Sequence, residues 1–142
     1  MTAKEFLNQP YEINKQIGKK LQQLESLREM ATSTTGSISD MPHSSSPDLQ
    51  RIEGVLARIV DLENEVERDN EVLQDARLAV ANEIANLDDG AHIRVMTKRY
   101  IELKDWKRVG QELGIGERWA LKQHRAALQE FESMYTQKHM CK

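Results

Sequence analysis

Cysteine is almost missing from this chain of 142 residues: there is one, Cys141, next to last. An intramolecular disulfide and a thiolate metal cluster are therefore excluded, and a reducing compartment fits. Aromatic residues make up only 5%, with seven glycines and three prolines. That leaves little material for a thick globular core or deep pockets; 39% apolar and 30% charged residues describe amphipathic helices better. No run approaches the roughly 20 apolar residues needed to cross a bilayer, and the opening Met1-Thr2-Ala3-Lys4-Glu5 lacks the basic-then-apolar order of a signal peptide. The expectation is a cytoplasmic protein with no membrane contact. His43, His92, His124 and His139 show no ligand spacing, and no HExxH, phosphate-loop or nucleophile motif occurs, so neither an enzyme nor a cofactor or metal is expected.

The net charge of -3 is unevenly distributed. Residues 1–47 carry five basic and five acidic side chains, residues 48–89 four and twelve, and residues 90–142 eleven and six. An acidic middle followed by a basic last third points to a polyanion-binding module on an acidic stalk, or to uneven decoration of solvated helix faces.

The pattern predicts an all-α chain. Phe6, Ile13, Ile17, Leu21, Leu24 and Leu27 form one stripe of a helix over 2–30, with a kink or restart expected at Gln9-Pro10 and the well-formed part beginning near Tyr11. Residues 31–47, rich in Ser and Thr, read as a flexible loop. It ends at a helix start formed by Ser46, Pro47 and Asp48. The following helix has a coiled-coil-like seam at Leu49, Ile52, Leu56, Ile59, Glu63, Val66, Asn70, Leu73, Arg77, Val80, Ile84 and Leu87, and stops at Asp88-Asp89-Gly90. At about 40 residues it reaches about 60 Å, longer than the first helix. A long antiparallel hairpin of the two leaves seam uncovered, to be buried by the segment before Pro10, by the C-terminal module or by a second copy; a homodimer is the favoured expectation. Residues 1–89 are thus an oligomerisation arm, and residues 90–142 a separate domain.

That last domain reads as three shorter helices, at about 91–103, 105–113 and 117–135. Asp105 is placed to cap the second, Gly114 to supply the positive φ that ends it, and Gly110 to clear the crossing point. Val109, Leu113, Ile115, Ala120 and Leu128 supply a small core. Such a helix-turn-helix projects its last helix, which carries Glu117, Arg118, Trp119, Lys122, Gln123 and Arg125, groups able to reach base edges and phosphates. Lys107, Arg108 and Arg99, with Arg94, Lys98 and Lys104, are candidates for added phosphate contacts. Trp119 either packs inward or, facing out, serves stacking or a partner. His124 is expected to pack or to donate to a phosphate.

The string RVMTKRYIELKDWKRVGQELGIGERWALKQHRAALQEF resembles region 4 of sigma-70 type transcription factors, above all the version in phage and prophage late-gene regulators of the ArpU and RinA kind. Arg99-Tyr100-Ile101, Trp106, Val109-Gly110, Glu112-Leu113-Gly114, Glu117-Arg118, His124, Ala127 and Leu128 carry the resemblance. It covers about 40 residues, and the N-terminal helix, Ser-rich loop and acidic helix extend it to the whole chain. It implies duplex DNA binding through the helix near Glu117, promoter recognition, and contact with RNA polymerase. Gln123, in place of an aliphatic residue, and Gly116, in place of a Ser or Thr cap, depart from the pattern and would loosen that helix.

Two other readings share the same elements: a small terminase-like DNA packaging component, and an adaptor whose basic module contacts RNA polymerase or another protein. The acidic run Glu63, Glu65, Glu67, Asp69, Glu71 and Asp75 diverges around its helix and reads as a solvated face. A sharper alternative has this run docking against the basic module and competing with DNA.

Overall fold

The structure, a computed structural model, describes residues 1–39 and 46–140, with side chains described over 1–33 and 49–139. The middle of the expected loop, the side chains of Ser46, Pro47 and Asp48, and Cys141 lie outside the described residues. Every regular element among the described residues is helical. The order is α1 (Ala3–Ser39), α2 (Ser46–Ile84), α3 (Gly90–Met96) running into a π-helical turn (Thr97–Ile101), α4 (Trp106–Leu113) and α5 (Glu117–Met140). None of these helices is long and apolar enough to cross a membrane.

The start of α1 is fixed by a reciprocal cap. The Glu5 amide donates to Thr2 Oγ1 at 3.1 Å and the Thr2 nitrogen to Glu5 Oε2 at 3.0 Å, satisfying two first-turn donors at once. Of the kink or restart expected at Gln9-Pro10, the restart does not occur, and α1 passes through Pro10. A proline inside a helix forfeits one backbone bond, but Ala3, Leu7 and Pro10 are all buried, at the three- and four-residue spacing of one helix face, and that burial offsets the loss. The loop expected from residue 31 does not begin there, because α1 continues to Ser39. Thr32 accommodates to the helix by donating its hydroxyl to the Arg28 carbonyl at 2.9 Å.

The chain divides into two units, one from Met1–Ile13 and Leu73–Lys142 and the other from Asn14–Val72. In the second unit, α1 and α2 bury Leu24, Ile59 and Leu62, with Leu27, Ala31, Val55 and Val66 packed around them. Lys20 pairs with Asp69 at 2.6 Å and Glu65 at 3.6 Å, and Arg28 reaches Glu63 at 4.0 Å. Part of the acidic run therefore faces cations of its own unit. The seam is only partly buried: Leu49 and Leu56 stay about half exposed, while Leu62, which is off the seam, is covered.

The first unit has the larger core. Ala3 and Leu7 from α1, Val80 and Ile84 from α2, Leu87, and Val95, Met96, Val109, Ala127 and Phe131 from the later elements share one cluster. The end of the seam is thus covered both by the segment before Pro10 and by the C-terminal helices, two of the three sources of burial expected for it. Phe6 stacks near Tyr135 with ring centres 5.3 Å apart, and Lys138 pairs with Glu83 at 2.7 Å. Asp89 caps α3 by accepting from the Ala91 amide at 2.9 Å. Glu130 of α5 holds the approach to α3, accepting from the Asp88 amide at 3.0 Å and meeting His92 Nδ1 at 2.7 Å.

Candidate nucleic-acid interface

Three short-range features set the angle between α4 and α5. Asp105, in extended conformation, accepts from the Arg108 amide at 2.8 Å and starts α4 one residue later. Gly114 ends it with φ 71°, and the Ile115 amide returns to the Gly110 carbonyl at 2.9 Å. Gly110 is packed directly under the turn: a Cβ there would lie 2.9 Å from the Glu117 nitrogen and 3.0 Å from the Ile115 carbonyl oxygen. No side chain fits, so the start of α5 rests against the backbone of α4. The expected core residues Val109, Leu113, Ile115, Ala120 and Leu128 all join the main cluster.

The inward face of α5 is Ala120, Ala127 and Phe131, none of them exposed. At 100° per residue, Arg118, Lys122 and Arg125 point to the opposite side, at i, i+4 and i+7. All three are exposed. Arg118 and Arg125 have no ion-pair partner among the described residues, and Lys122 has only the Trp119 ring, with its Nζ 5.0 Å from the ring centre. Trp119 faces out, 60% exposed, and flanks the basic stripe on one side as Leu121 does on the other. Together Arg118, Trp119, Leu121, Lys122 and Arg125 bound an open surface recess. Glu117 is exposed at the first position of α5, and Gln123 is half-buried.

The cations on neighbouring elements differ. Lys107 is exposed and has no ion-pair partner among the described residues. Arg108 Nε is held by Glu112 at 2.9 Å. The same carboxylate takes Lys98 at 2.9 Å and also binds Lys104, which pairs with Glu102 as well. Hydrogen bonds from Lys104, Lys98 and Arg108 pull the Glu112 carboxyl down to about 2. Arg99 is turned to its own unit, donating to the Lys104 carbonyl at 3.0 Å and lying 4.9 Å over the Trp106 ring. Arg94 of α3 is likewise exposed with no ion-pair partner among the described residues, so the positive charge left uncompensated in this part of the chain lies on Arg94, on Lys107 and on α5.

His124 packs inside. Its ring lies 4.6 Å from that of Trp106, and its Nε2 meets the Tyr100 hydroxyl at 2.6 Å. Burial, with the charges of Arg99 and Lys4, lowers the imidazole to about 4, while burial raises the Tyr100 phenol. A protonated phenol donating to a neutral imidazole suits both directions. Sequence reasoning did not find this cluster, nor the role of Glu112. Only the four-residue spacing of Arg108 and Glu112 signals the latter; the contacts with Lys98 and Lys104 depend on the path of the chain after α3. The cap of α1 had a readable signal, Thr2 three residues before Glu5.

In comparisons with protein-family models, curated proteins and solved structures, nothing matches this chain.

Proposed function

We propose that the chain binds double-stranded DNA through α5, as a helix-turn-helix regulator acting at promoters in the manner of the phage late-gene regulators it resembles. The observation that carries this reading is the stripe of Arg118, Lys122 and Arg125, exposed and without acidic partners among the described residues, on a helix seated by a glycine contact at its start. Cations on the outer face of the second helix of such a pair reach phosphates and base edges when that helix enters the major groove. Lys107 extends the positive surface onto α4. A dimer joined through the long helices completes the reading. It is supported by Leu21, Met30, Leu49, Leu56 and Val60 of the Asn14–Val72 unit, all between 48% and 56% exposed.

The test is retention of duplex DNA from a random-sequence pool over a salt series, with the mass of the free protein from gel filtration. Affinity should fall linearly on logarithmic axes, and Arg118→Ala and Lys122→Ala should each remove about one unit of that slope. Affinity indifferent to salt, or unchanged in both variants, would falsify the reading.

A further inference from the structure

We infer that Trp119 is a specificity-determining residue that reads thymine in the major groove. The inference rests on the duplex-binding reading above and extends it to a particular base.

Trp119 is the third residue of α5, and the first residues of a recognition helix are the ones that meet base edges. Trp119 is 60% exposed, although apolar partners such as Trp106 and Phe131 are gathered in the core of the same unit. The ring is also positioned: Lys122, one turn on, holds its ammonium 5.0 Å from the ring centre, which favours one placement of the indole over free rotation. Among the described residues the indole N–H has no hydrogen-bond partner. The site thus offers one free donor and a broad apolar surface, and it offers no acceptor.

The four bases present different edges to such a group. Thymine alone places an acceptor, O4, beside a methyl group. Cytosine presents an amino donor, and adenine an amino donor beside N7; neither amino group finds an acceptor on an indole. Guanine presents two acceptors, which suit a guanidinium such as Arg118 better than a single N–H. Trp119 matches thymine on both counts, with the N–H donating to O4 and the ring against the methyl.

The experiment uses the full chain. Duplexes retained from a random-sequence pool are sequenced for the wild type and for Trp119→Ala, and the retained duplexes are remade with uracil in place of thymine, which removes only the methyl. The expected result is a thymine-enriched position for the wild type, a loss of about fourfold in its affinity for each uracil replacing a contacted thymine, and equal affinity of Trp119→Ala for thymine and uracil duplexes. The thymine and uracil comparison on the wild type does not depend on how the variant folds. Retention without any thymine preference, or discrimination that survives in a folded Trp119→Ala, overturns the inference and leaves duplex binding intact. If no duplex is retained at low salt, both fall together.

Discussion

Protonation of His124 must compete with its surroundings: burial, Arg99 and Lys4 hold the imidazole at about 4, against 6.5 when it is free. Between these values the unfolded chain binds a proton that the folded chain does not, so stability is complete above pH 6.5 and declines as the pH falls toward 4. Glu112 acts in the next window down. Its carboxyl is held at about 2 rather than 4.5, so its contribution is present above pH 4.5 and is lost on further acidification. The melting temperature should therefore begin to fall below pH 6.5, well before carboxylates titrate. His124→Phe should flatten the segment between pH 6.5 and 4 while leaving the lower one. An unaltered profile in that variant would show that the proton goes elsewhere. In the sequence His124 reads as a packing residue or a phosphate donor. The choice between them depends on Tyr100 and Trp106 arriving from other elements, which no local pattern encodes.

The turn between α4 and α5 was legible almost residue by residue, because Asp105, Gly110 and Gly114 each act on neighbours a few positions away. Helix lengths were less so. Pro10 and the Ser/Thr-rich stretch after Met30 are ordinary reasons to end a helix, yet α1 continues through the first and runs into the second as far as Ser39. Burial of Pro10 and the bond from Thr32 to Arg28 are consequences of context. The π-helical turn after α3 had no signature either. Two glycines offer a test of how far local reasoning extends. Gly110→Ala places a methyl 2.9 Å from backbone and should cost about 1–3 kcal/mol in urea unfolding. Gly54→Ala, within α2 and with nothing within 4 Å, should instead stabilise by about 0.5–1 kcal/mol. If both substitutions shift the midpoint in the same direction, the close approach beneath the turn is not what Gly110 is for.

Across the whole molecule, composition was enough to announce helices and a basic last third, and spacing was enough to place the basic stripe of α5. What covers the end of α2 was left open in the sequence among three sources, since a seam records that it needs a partner without recording which. In the structure Ala3 and Leu7 help to provide it, from the opposite end of the chain. Leu7 is fully buried, and Leu7→Ala should cost about 2–5 kcal/mol, read as a lower midpoint for the unit that holds α3 to α5. A loss below about 0.5 kcal/mol would mean that the first turns of α1 merely lie on that core.

This shared core also orders events in time. On the ribosome, Ala3 and Leu7 emerge before the neighbours that cover them, which lie beyond Leu73 and extend into α5. Residues 14–72, which form a compact unit with a core of its own, are free to settle during translation. The turn that carries Ala3 and Leu7 is thus made well before it is covered, and its apolar side chains stay exposed until α5 has followed.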